Sequence, residues 1–221
     1  MALLTIIAGE IRQRWRHLLL WGVLFALLHQ VAMFAALLLR FRAWPNYVTF
    51  YDWLGNVLHI IRSTPSVRDM VGIIREEWLI EIGRMNYDYG TGISEWSLNI
   101  MPSRLLVLCL LGAMVGLAFS LLHRTACAAP ARNSLRATTG MGAFLVALTN
   151  VTMSWVVCCA TPSWVVGLAM LGLGTSTSLA LERSGPLLSV LGFGLLTALI
   201  LYLAWRKSRP AQQSKGVPAH A

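Results

Sequence analysis

Charge is scarce in this chain. Only 12% of its residues are Asp, Glu, Lys or Arg, against 57% apolar, and mean hydropathy is +0.64. A soluble globule of this size cannot hide that much apolar surface in one core, so the composition excludes one and calls for a lipid solvent. Acids are the scarcer sign, nine against eighteen bases. Catalytic signatures are missing as well. The sequence has no Ser/His/Asp order, no His-x-x-x-His, no Cys-x-x-Cys, no Walker loop and no dinucleotide fingerprint, so nothing in it predicts an enzyme. Glu76 and Glu77 are adjacent acids of the kind that form a solvated face. There is no lipidation box, no internal repeat and no soluble module of domain size.

What is present is long apolar runs. They cover His17 to Leu39, Leu105 to Leu122, Gly140 to Leu173 and Leu187 to Trp205, each near or above the ~20 residues that cross ~30 Å of hydrocarbon. The runs are apolar all round and do not alternate, which selects helices over a closed barrel. The first run is long, follows three arginines and lacks a small-x-small cleavage site, so it is expected to be an uncleaved anchor.

The basic residues follow the ends of these runs. Arg12, Arg14 and Arg16 precede the first; Arg124, Arg132 and Arg136 lie between the second and third; Arg206, Lys207, Arg209 and Lys215 follow the last. This is the positive-inside pattern, and it accounts for the net charge of +9 without a nucleic-acid partner. Residues 41–103 instead carry Asp52, Asp69, Glu76, Glu77, Glu81, Asp88 and Glu95 against Arg42, Arg62, Arg68, Arg75 and Arg84, and are expected outside. As a straight helix the third run would measure ~51 Å, too long for one upright span. Splitting it into two spans would strand the basic tail outside. The expectation is therefore one span to Cys158 or Cys159, broken near Pro162, then a helical or re-entrant piece before Glu182.

The predicted fold is all-α: a polytopic bundle of four spans in a bacterial inner membrane, with both termini cytoplasmic. Its parts are a basic segment and first span at 1–40, an external aromatic-rich segment at 41–103, a second span and inner loop at 104–139, a dicysteine span pair at 140–207 and a polar tail at 208–221. In the external segment Val67, Met70, Val71, Ile74, Trp78 and Ile82 recur at helical spacing, which predicts an amphipathic helix from Ser66 to Met85. Trp44, Tyr47, Tyr51, Trp53, Tyr87, Tyr89 and Trp96 suit the bilayer interface, and the helix is open to lying on the membrane or on a partner, or to capping a bound substrate.

Candidate chemistry lies in four cysteines. Cys158 and Cys159 are adjacent, Cys109 is early in the second span, and Cys127 is in the inner loop. Thiolates select soft ions such as Cu(I) or Hg(II). Adjacent cysteines on a helix point ~100° apart, so they share one ion only where the backbone breaks. Counting helical rise from the assigned span ends puts Cys109, Cys158 and Cys159 at about one depth, which makes a two- or three-sulfur site conceivable. Packing thiols are the bland alternative. His29, in mid-span, is open to either metal binding or an interhelical hydrogen bond.

Residues 140–207 resemble the first two spans of the mercuric-ion transport membrane protein family (MerT type). The resemblance rests on a Gly/Ala-rich span, the Cys158-Cys159-x-x-Pro162 motif, a glycine-containing apolar stretch, Leu181-Glu182-x-x-x-Pro186, and a span ending in Ala204-Trp205-Arg206-Lys207. It implies that paired cysteines receive a metal ion at the outer face for a second pair at the inner face. This chain has only Cys127 on the inner side, and residues 1–139 have no counterpart in the resemblance. Two functions follow as expectations: a membrane carrier or chaperone for Hg(II) or Cu(I) using Cys158, Cys159 and Cys109, or a non-catalytic accessory subunit of a membrane protein complex that docks through residues 41–103.

Overall fold

The computed structural model describes residues 2–88, 90, 92–124, 137–144, 146–147, 153–154 and 175–213. In chain order the elements are α1 (Ala2–Phe41), β1 (Tyr47–Phe50), α2 (Trp53–Ser63), α3 (Val67–Glu76), β2 (Ile80–Asn86), β3 (Ile93–Ile100), α4 (Pro102–Arg124), β4 (Met153–Ser154) and α5 (Thr175–Gln213). Residues 137–144 and 146–147 are also helical. Three helices are long and apolar enough to cross a membrane: Leu4–Phe41, Pro102–Leu122 and Leu187–Ser208. The protein is therefore membrane-embedded and largely helical. The chain divides into two compact units, to each of which α1 and α4 contribute.

The first unit comprises Met1–Ala26, Cys109–Ala147 and Pro186–Ala221. Its core joins Leu18 of α1, Leu117, Ala118, Leu121 and Leu122 of α4, and Leu199, Ile200 and Leu203 of α5. Small residues let α1 and α4 approach closely. A Cβ on Gly22 would lie 2.5 Å from the Cys109 carbonyl oxygen, and one on Gly112 would lie 2.6 Å from Phe25 Cβ and 2.7 Å from the Trp21 oxygen. Gly116 faces the Trp21 side chain at 3.0 Å, giving α4 a Gly-x-x-x-Gly face turned to α1. Trp21 also stacks on Phe119. Late residues of α1 meet early residues of α4, so these two helices are antiparallel.

α5 likewise runs against α1. Its Lys207 donates to the buried Glu10 carboxylate, which also lies 3.8 Å from Arg14, while Leu199 to Leu203 reach the level of Leu18. Consequently α4 and α5 point the same way. Glu10 is 4% exposed, and a carboxylate so removed from water needs a cation beside it. Arg14 itself leaves helical geometry, with φ −123° and ψ 18°.

The second unit comprises Leu27–Leu108 and Leu148–Gly185. It holds an antiparallel sheet in the order β1-β2-β3-β4. The strands are rich in β-branched and aromatic residues: Tyr47, Val48, Thr49 and Phe50, then Ile80 and Ile82, then Ile93, Trp96 and Ile100. Fully buried Trp96 fixes the sheet to the second half of α1, where Phe34, Leu37 and Phe41 pack around its ring. Between β2 and β3, Gly90 and Gly92 take φ of 78° and 97°, a conformation that favours glycine. Asp52 and Ser66 cap α2 and α3 by accepting from the Gly55 and Asp69 amides.

Three expectations are corrected here. The fold is not all-α, and the predicted helix from Ser66 to Met85 ends at Glu76, after which Ile80–Asn86 is strand β2. Trp78 and Ile82 fit a helical period, and with Ile80 they fit a two-residue period as well. The strand wins because Leu98 of β3 and Val48 of β1 stand opposite Ile82 on its two sides. Nor does one helix run from Gly140 to the dicysteine, since Met153 and Ser154 are extended and pair with Leu98 and Ser97. The surrounding run holds Val151, Thr152, Val156 and Val157, β-branched residues for which an apolar stretch does not distinguish helix from strand. The break expected near Pro162 lies outside the described residues.

The close approach of α1 and α4 is testable. Gly112→Val should destabilise the detergent-solubilised protein by about 1–3 kcal/mol through overpacking. Gly194→Ala, where an added Cβ meets nothing within 4 Å, should be neutral or slightly stabilising. Equal thermal unfolding midpoints for the two variants would contradict this interface.

Candidate functional site

Of the predicted metal ligands, the described residues include one. Cys109 is a free, half-buried thiol on α4, in the first unit, with its backbone against Gly22. Cys158 and Cys159, together with Cys127, lie outside the described residues. Among the described residues no group of three or more His, Cys, Asp or Glu side chains could hold a metal ion. Two of the three sulfurs of the expected set thus lie outside the described residues. It does place the chain four residues before Cys158, where Ser154 pairs with Ser97 at the edge of the sheet.

The most organised polar cluster in the second unit is one the sequence analysis passed over. Glu81, on β2, is 9% exposed and stands between two phenols. Tyr47 Oη donates to Oε1 at 2.8 Å and Tyr51 Oη donates to Oε2 at 2.6 Å. Strand register explains the first contact: Tyr47 faces Gly83, and Glu81 is two residues along β2 on the same face of the sheet. Gly83 is required there, since a Cβ would lie 2.6 Å from both Tyr47 Oη and the Trp96 carbonyl oxygen. Trp78 meets Tyr51 edge-on, with ring centroids 5.9 Å apart. The Asn46 side chain exchanges two 2.8 Å bonds with the Met85 backbone and so continues the β1–β2 pairing ahead of the first residue of β1.

These contacts hold the phenols in their neutral form. Burial pushes Tyr47 up to about 12, with the Glu81 bond and charge adding to the rise while Ser94 and Ser97 oppose it. Tyr51 is also raised to about 12, by burial first and then by Glu81. A carboxylate that accepts from two phenols is a latch between β1 and β2, and its acceptor atoms are engaged. Arg84 bonds Glu95 at 3.0 Å in the open, a pair worth little to stability. The available sequence signal was an acid alternating with apolar residues, Ile80-Glu81-Ile82, which in a strand points it to the face opposite its neighbours.

The sign of the pH effect follows from those raised values. A tyrosine whose folded value exceeds its unfolded value of 10.0 stabilises the fold fully below pH 10, and that contribution is lost as pH rises through about 12. Phenolate absorbance should therefore show a late-titrating component that disappears in the Tyr47→Phe/Tyr51→Phe double variant. In Glu81→Gln the same component should move down without reaching 10, because burial remains. Titration of both phenols at their ordinary value in the native protein would mean that the latch is not formed.

Comparison with protein-family models, with curated proteins and with solved structures finds no match for this chain.

Proposed function

We propose that the chain is a membrane carrier or chaperone for a soft metal ion, Hg(II) or Cu(I), with Cys158 and Cys159 as its ligands. The observation that supports this reading is β4. A chain reaches at most ~3.6 Å per residue, so the pairing of Ser154 keeps Cys158 within ~14 Å of the sheet edge. The extended pair Met153–Ser154 also means that no continuous helix leads from Gly140 to the dicysteine. The resemblance of residues 140–207 to mercuric-ion transporters supplies the chemistry: thiolates prefer two-coordinate soft ions and can pass them on.

Four crossings, with both termini cytoplasmic, complete the proposal. α4 and α5 point the same way, so a chain in which both cross must return across the bilayer between Arg124 and Leu187. In this reading the return is complete by Met153, a placement supported by the pairing of β4 with β3. The dicysteine would then lie on the side opposite Arg124, Arg132 and Arg136, which the positive-inside rule makes the outer side.

A second reading, a non-catalytic accessory subunit docking through residues 41–103, is favoured by the folded sheet and helical hairpin in that segment. Gentle purification from native membranes separates the two readings: bound soft metal in the isolated chain speaks for the carrier, and stoichiometric co-purifying subunits without metal speak for the accessory role.

Two outcomes are expected of the full-length protein. Cys158→Ser and Cys159→Ser should each abolish stoichiometric binding of Cu(I) or Hg(II), while Cys127→Ser retains it. Full metal retention by the double Cys158/Cys159 variant, folded and at normal abundance, would refute the carrier. For topology, a membrane-impermeant thiol reagent applied to intact cells should spare Cys127, and its modification from outside would overturn the assigned orientation.

A further inference from the structure

The two helices between β1 and β2 leave an apolar face without a partner. In α2, Leu54, Leu58 and Ile61 follow the i, i+4, i+7 pattern of one stripe, and all three are exposed, Leu54 at 68%. In α3, Val67, Met70, Val71 and Ile74 share one side, while Arg68, Asp69, Arg75 and Glu76 occupy the rest of the circumference. No residue of α3 is buried, and Val67 is 69% exposed. The two helices pack against each other, so the stripes belong to one hairpin.

The hairpin's position decides what can cover it. The Ser103 hydroxyl donates to the Arg75 carbonyl, tying the last turn of α3 to the first turn of α4. That turn begins a membrane-crossing helix at Pro102, and α1, the preceding one, ends at Phe41, shortly before β1. Leu106, one turn further into α4, is 71% exposed, as a lipid-facing residue is in the absence of bilayer. The end of α3 is thus fixed where the chain enters hydrocarbon. Aliphatic residues on one side, with Arg62, Arg68 and Arg75 among the polar ones, match a helix lying in the headgroup region. There arginine meets phosphate, and the apolar side reaches the acyl boundary.

We infer that the α2–α3 hairpin lies flat in the bilayer interface at which α1 ends and α4 begins, its Leu54/Leu58/Ile61 and Val67/Val71 face seated in phospholipid. The hairpin acts as an interfacial float that holds the sheet, and the chain entering it at β4, against the membrane surface. This holds whether or not Cys158 and Cys159 bind metal.

Photo-crosslinking of the full-length protein tests it. Benzoylphenylalanine is introduced at Leu58, at Val71 and, as a polar-face control, at Asp69. Leu58 and Val71 are 52% and 47% exposed, so the larger side chain is accommodated. The protein is irradiated in native membranes and again in vesicles of phosphatidylethanolamine and phosphatidylglycerol. Phospholipid adducts several-fold more abundant at Leu58 and Val71 than at Asp69, in both settings, are the expected result. A discrete polypeptide adduct at Leu58 and Val71 in native membranes, in place of lipid, would overturn the inference and assign the face to a protein partner. Lipid adducts no greater than at Asp69 would overturn it as well.

Discussion

Hydrocarbon offers a polypeptide no hydrogen bonds, and that single constraint sorts this chain into its two kinds of structure. Where residues cross lipid, each backbone amide must find its partner within the same segment, and the result is α1, α4 and the apolar part of α5. A sheet with open edges survives only away from lipid tails. The sheet here is built from the segment between the ends of two crossing helices and from the short β4. Its attachment is apolar: Trp96 sits among Phe34, Leu37 and Phe41 at the end of α1. One helix therefore does two jobs. Its first half packs by glycine contact against α4, and its last turns form the hydrophobic seat of a strand.

Much of this was legible in the sequence, for a definite reason. A membrane-crossing helix is declared by composition alone, because some twenty consecutive positions must be predominantly apolar; the runs at His17 to Leu39, Leu105 to Leu122 and Leu187 to Trp205 each fall within a helix long and apolar enough to cross. The sheet was not legible. Trp78 and Ile82 fit two periods at once, and only the partners opposite Ile82, Val48 and Leu98, decide between the periods. Such pairing is non-local, and a window of one sequence does not contain it. The same applies to the latch, since Tyr47 and Tyr51 lie more than a helix and a turn away from Glu81 in the chain. Gly112 and Gly116 were a visible motif whose meaning needed the opposing Trp21 and Gly22.

The dicysteine segment is where the two legibilities meet. Its apolar content reads as a span, yet its valines and threonines favour extended backbone equally well, and the strand that forms at Met153–Ser154 uses the free edge that β3 presents. An antiparallel edge recruits any nearby extended segment because it offers unpaired amides and carbonyls in register.

Two buried carboxylates show how environment selects the partner. Glu10 lies within a crossing helix, where an uncompensated charge has no water to draw on; its neighbours are the cations Lys207 and Arg14. Glu81 lies in the sheet, where half-exposed Tyr51 brings solvent close, and neutral phenols suffice as donors. Phenols alone would leave the Glu10 charge unbalanced in a low-dielectric bundle. The ion pair also joins the beginning of α1 to the end of α5, elements far apart in sequence, so the charge that the membrane forces into a pair becomes a clamp on the order of the helices.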